Sequence, residues 1–138
     1  FFFIFIIQQR KMKSTILIIE DNDQNMYMLS YLLEKNNFNV LKAFNGQDGL
    51  RQAKEFHPDI ILLDIQLPDM DGYDICKNIR HNGVPNSTII IAVTSHAMGG
   101  DKEKAIQAGA NGYLDKPINP DTFVSQMKKI IKANKKYE

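Results

Sequence analysis

Asp59-Ile60-Ile61-Leu62-Leu63-Asp64-Ile65-Gln66-Leu67-Pro68-Asp69-Met70-Asp71-Gly72 is the stretch that decides the fold. A nearly unbroken apolar run ends on a carboxylate, and turn-forming residues follow. Asp71, with Asp74 three residues on, then marks a helix start, because a side-chain oxygen at that position accepts a free backbone N–H. A strand that is apolar at every position is covered on both faces, the habit of parallel sheets flanked by helices.

Working outward, Ile16-Leu17-Ile18-Ile19 and Thr88-Ile89-Ile90-Ile91-Ala92-Val93 read the same way and are expected to be central strands. Asn39-Val40-Leu41-Lys42-Ala43 is less apolar and Gly112-Tyr113-Leu114 is short, so both suit edges. Between them lie stripes at three- or four-residue spacing: Met26, Leu29, Leu33; Leu50, Ala53; Ile75, Ile79; Ala105, Ala108; and Phe123, Met127 with Ile130 or Ile131. These are core-facing helix stripes. Asn45, with Asp48 three residues later, and Asn119, followed by Pro120, mark two more helix starts. Strand and helix thus alternate five times without a long linker, repeat or low-complexity tract, which predicts an α/β domain with a parallel sheet and helices on both faces.

The bulk numbers bound this reading. A chain of 138 residues, 43% hydrophobic and 24% charged, supports one buried core rather than two domains. Formal charge is +1, but without residues 1–11 it becomes 15 basic against 16 acidic residues, so charge indicates neither nucleic acid nor membrane as a partner. The lone Cys76 forms no internal disulfide, and a reducing, cytoplasmic setting fits. Phe1 to Ile7 is an apolar run far shorter than the ~20 residues of a membrane span, and its basic residues follow the run instead of preceding it as in a secretory signal. Residues 1–13 are therefore expected to be an N-terminal extension, with Met12 the natural start, and residues 14–138 the domain.

Ligands of open α/β sheets bind outside the carboxyl ends of the strands. Glu20 and Asp21 follow the first strand, Asp64 the third, Thr94 and Ser95 the fourth, and Lys116 the fifth. Each alone is an ordinary strand terminator or surface residue. Together they bring three carboxylates, two hydroxyls and an ammonium to one edge. Clustered carboxylates repel unless a cation is present, and oxygen donors imply a hard ion such as Mg²⁺, with Mn²⁺ as a substitute. Zinc does not fit: His57, His81 and His96 lack ligand spacing, and there is one Cys.

Glu20-Asp21-Asn22, the segment Ile61 to Gly72, Val93-Thr94-Ser95, and Gly109-Ala110-Asn111-Gly112-Tyr113-Leu114-Asp115-Lys116-Pro117 resemble response-regulator receiver domains, in order and at the family's spacing, through residues 14 to 134. The resemblance implies a flavodoxin-like, doubly wound (βα)5 fold with strand order 2-1-3-4-5. It implies that Asp64 is the phosphoacceptor, that Mg²⁺ is held by Asp21, Asp64 and the backbone carbonyl of Gln66, and that Glu20 acts through water. Thr94 and Lys116 would contact the phosphoryl group, Thr94 and Tyr113 would form the switch, and the peptide before Pro117 would be cis. Gly99-Gly100 would give the loop after the fourth strand room to move. Gln66 and His96 lie two residues past Asp64 and Thr94, where family members control water access.

The partners implied are a sensor histidine kinase or histidine phosphotransfer protein, met at the first helix near Gln24, Asn25 and Tyr27, and an unknown downstream protein. Direct nucleic-acid binding is not expected: Lys128, Lys129, Lys132, Lys135 and Lys136 are explained by cations favoured at a helix end. The chain ends about where the fifth helix ends, so a stand-alone switch is the favoured form, with a receiver segment of a hybrid histidine kinase as the alternative. The protein is then a phosphoacceptor that catalyses only its own phosphorylation and dephosphorylation. A haloacid-dehalogenase-like phosphatase would need an Asp where Gln66 stands, and a pseudo-receiver usually shows a degraded pocket.

Overall fold

The computed structural model describes residues 13–95 and 99–135. The expectations for Phe1–Lys11, Met12, His96 and Lys136 lie outside the described residues. Five strands and five helices alternate: β1 (Thr15–Ile19), α1 (Asp23–Lys35), β2 (Asn39–Ala43), α2 (Gly46–Phe56), β3 (Ile60–Asp64), α3 (Gly72–His81), β4 (Ile89–Thr94), α4 (Asp101–Ala108), β5 (Gly112–Asp115) and α5 (Phe123–Asn134). The strands form one parallel sheet in the order β2-β1-β3-β4-β5. This is the flavodoxin-like arrangement, with the apolar strands central and the two weaker ones at the edges.

Alternation along each strand divides the core in two. Leu17, Ile19, Ile61, Leu63, Ile90 and Ala92 face Ala53 of α2, Ile75 and Ile79 of α3, and Ala105 and Ala108 of α4. Ile16, Ile18, Ile60, Leu62, Ile89 and Ile91 face Met26, Leu29 and Leu33 of α1 and Phe123 and Met127 of α5. Every residue of β3 and β4 is buried, so register is strongly specified: a one-residue slip would exchange the two faces.

Helix starts follow the capping chemistry. Asn22, Asn45 and Asp71 accept backbone N–H groups of Asn25, Asp48 and Tyr73, each at 2.8 Å. The last helix departs from expectation: its regular turns begin at Phe123, with Thr122 at the cap. Asn119 instead organises a preceding turn, its Oδ1 accepting the Asp121 N–H at 2.9 Å and its carbonyl the Thr122 and Phe123 N–H groups. The side-chain bond therefore closes locally, and Pro120 lies in the turn outside the regular helix.

Candidate functional site

Strand pairing carries its hydrogen bonds one residue past the strand ends. The Glu20 N–H donates to the Ala43 carbonyl, Ile65 to Val93 and Lys116 to Thr94, at 2.9–3.0 Å. The backbone is thus fixed where the functional side chains leave it. Asp64 is paired in register with Val93, and Thr94 with Asp115. Glu20, Asp64 and Thr94 are buried, while Asp21 is exposed at the mouth.

Oxygens of Glu20, Asp21 and Asp64 lie within 4.8 Å of one another. The Lys116 ammonium donates to Asp64 Oδ2 at 3.0 Å and stands 3.9 Å from Glu20 Oε1. The Gln66 backbone N–H donates to Asp64 Oδ1 at 2.9 Å, and the Asn22 N–H donates to Glu20 Oε2 at 3.0 Å. Burial pushes the Glu20 carboxyl up to about 7; the Asn22 N–H and Lys116 oppose this, while Asp64 and Asp21 add to it. One ammonium therefore does not balance three carboxylates, and the donor set fits a hard, oxygen-liganded cation.

The peptide between Lys116 and Pro117 is cis. Tyr113 is half-buried against the α2–α4 face of the core, with the Lys102 ammonium 5.2 Å from its ring centre. His57 and His81 are exposed at the ends of α2 and α3, remote from the carboxyl ends of the strands. Gly100 caps α4 with φ at 86°, a left-handed conformation that favours glycine.

Several contacts at the site escaped sequence reasoning. The Thr94 hydroxyl donates to Asp101 Oδ2 at 3.2 Å, and the Ser95 hydroxyl to Gln66 Oε1 at 2.7 Å. Asp69 reaches across to α2, accepting the Gly46 and Gln47 N–H groups at 2.9 and 3.1 Å. Gly72 packs so closely that a Cβ there would collide with the Ile65 backbone. Asp101 stands in the first turn of a helix, where an acid reads as a partner of the helix dipole; nothing local ties it to Thr94.

A doubly wound sheet with a carboxylate cluster and a lysine at its carboxyl edge, and Gln66 two residues past the central Asp64, fits one class, the receiver type of signalling domain. Residues 16–128 match the family described as response regulator receiver domain. The polar-differentiation response regulator DivK of Brucella ovis is 35% identical over 120 residues, covering 87% of this chain and 98% of DivK. The receiver domain of the sensor histidine kinase PA1611 from Pseudomonas aeruginosa, whose structure has a magnesium ion coordinated in its active-site cleft, is 33% identical. It superposes with a TM-score of 0.77 over 86% of this chain and 98% of that one. The chemotaxis response regulator CheY4 of Vibrio cholerae is 26% identical with a TM-score of 0.81, at the same coverages. The chain belongs to the response regulator receiver domain family, and with it to two-component signalling.

Proposed function

We propose that the protein accepts a phosphoryl group on Asp64 from a histidine kinase or histidine phosphotransfer protein and signals by protein–protein contact. The observation that carries this reading is the convergence of Glu20, Asp21 and Asp64 on one point, with the Lys116 ammonium 3.0 Å from the Asp64 carboxylate.

Asp64 attacks phosphorus with one carboxylate oxygen; the new O–P bond forms as the bond to the donor breaks, and a phosphohistidine donor leaves as imidazole. A carboxylate is a weak nucleophile, so positioning and charge neutralisation supply the catalysis. The Gln66 N–H fixes the carboxylate plane, and Lys116 meets the charge developing on the transferring group. Thr94 donates to a phosphoryl oxygen. Mg²⁺, with Mn²⁺ as a substitute, neutralises the phosphoryl oxygens when bound. Asp21, Asp64 and the Gln66 carbonyl would hold it, with Glu20 acting through water.

Thr94 and Tyr113 carry the change outward to the face formed by α4, β5 and α5, where the downstream protein binds. The exposed tyrosines Tyr27 and Tyr31 of α1 offer the donor an aromatic surface. Similarity to DivK, itself a response regulator, supports the first form, a stand-alone regulator. Similarity to the PA1611 receiver supports the second form, a receiver within a hybrid kinase. The lone Cys76 is buried and forms no internal disulfide, and the setting proposed for the protein is the cytoplasm.

Intact mass after incubation with phosphoramidate and Mg²⁺ tests the reading. One phosphoryl adduct is expected in the wild type and none in Asp64→Asn or in EDTA. A wild type without an adduct would overturn it.

A further inference from the structure

Thr94, at the end of β4, is bonded through its hydroxyl to the Asp101 carboxylate, seven residues on in the first turn of α4. Near the same Asp101 carboxylate stands Tyr73, in the first turn of α3. Its hydroxyl is buried yet makes no hydrogen bond among the described residues. Burial, and then the Asp101 carboxylate within bonding reach, push the Tyr73 phenol up to about 12, so it keeps its proton and remains a donor. A buried hydroxyl without a partner is expensive to leave unmade, more so beside a carboxylate able to accept from it. Two donors thus face one carboxylate, and only that of Thr94 meets it at full hydrogen-bond geometry.

We propose that Asp101 competes with the phosphoryl group for the Thr94 hydroxyl, and that its carboxylate passes to Tyr73 when Thr94 turns to the phosphoryl oxygen. The proposal rests on the reading of Asp64 as phosphoacceptor. In the resting state the Thr94–Asp101 bond opposes activation. In the phosphorylated state the Tyr73–Asp101 bond replaces it, so the carboxylate is bonded in both states and the phenol in one. The exchange ties the first turn of α4 to that of α3, and its difference in free energy sets the balance between states. Asp101 and Tyr73 are positioning residues: neither touches the transferring group.

The test is a mutant cycle read by titration with beryllofluoride, a phosphoryl mimic, in saturating Mg²⁺. Tyr73→Phe removes only the bond of the activated state and is expected to weaken beryllofluoride binding roughly tenfold, the scale of one charge-assisted bond. Adding Asp101→Ala to Tyr73→Phe removes only the resting-state bond and is expected to tighten binding again, by roughly the same factor. With Ala at position 101, Tyr73→Phe is expected to have no further effect, the coupling that identifies a shared partner. Mg²⁺ affinity without beryllofluoride is expected to be equal across the set, which separates the exchange from general damage to the fold. Unchanged beryllofluoride affinity in Tyr73→Phe, or equal effects of Tyr73→Phe with Asp and with Ala at position 101, overturns the proposal while leaving the phosphoacceptor reading intact. A wild type that binds no beryllofluoride sinks both.

Discussion

Cys76 and Asp69 show how position sets the chemistry of a single residue. Cys76 lies in the core under α3, where burial pushes its thiol up to about 11, with Arg80 opposing. The thiolate is therefore a minor species at neutral pH, and labelling by a disulfide reagent is expected only through opening of the fold, at least ~100-fold slower than in urea. Linkage gives the sign: the folded value is raised above the ordinary 9.0, so the unfolded chain ionises first. Stability from the neutral thiol is full below pH 9 and declines as pH rises toward about 11. Urea midpoints of wild type and Cys76→Ala should therefore converge over that interval. Asp69 is shifted the other way: the Gly46 N–H, then that of Gln47, hold its carboxyl below the ordinary 3.8. Its stabilisation is present above that value and lost as pH falls through the lower folded value. Asp69→Ala is expected to cost about 1 kcal/mol at pH 7, the worth of a helix cap, and less at pH 3, by chemical denaturation. Such residues mark the limit of sequence reasoning. The convergence of Asp64, Asp21 and Lys116 was legible because chain order along a parallel sheet brings strand ends together. Asp69, Asp101 and Tyr73 act across gaps that no local pattern encodes.

At the scale of elements, the loop from β3 to α3 carries the greatest constraint. Gly72 donates its N–H to the Ile65 carbonyl at 3.1 Å, with the two backbones in close approach. Gly72→Ala drives a methyl group into backbone, which cannot give way as a side chain can. A loss of about 2 kcal/mol is expected, within the range for overpacked sites. The displaced loop carries Gln66, so the rate of adduct formation from phosphoramidate should fall with the melting temperature. Helix α4 is the contrasting case: eight residues long, with Gly100 and Gly109 in left-handed conformations at its ends and no side-chain cap. In the proposed exchange at Thr94, it is the helix best suited to shift. Asn119 caps the approach to α5 as Asn followed by Pro suggests, but the regular turns begin only at Phe123, because the first residues close a turn before the helix settles.

Across the molecule, central and edge strands were legible because burial on both faces demands continuous apolar runs, a requirement β2 and β5 escape at the sheet margins. Metal removal is a whole-molecule test of the proposed centre: Mg²⁺ at 100 times its dissociation constant is expected to stabilise the fold by about 2.7 kcal/mol. EDTA should abolish the increment, and Asp21→Asn should require far more Mg²⁺ to reach it. Arg80 stands at the opposite end of the sheet from that centre. Its guanidinium donates to Gly109 O at 2.9 Å, Thr88 O at 2.8 Å and Asn111 Oδ1 at 2.7 Å, and more distantly to Asn86 O at 3.4 Å. Asn111 in turn accepts the Ile90 N–H at 2.8 Å. One side chain thus clamps the entrances of β4 and β5, while their exits carry Thr94 and Lys116. The proposed switch would give the domain a stiff pole and a responsive pole: deuterium should enter last at the amides of Ile90 and Asn111 and early around Ser95, and only the early set should slow when the phosphoryl mimic binds.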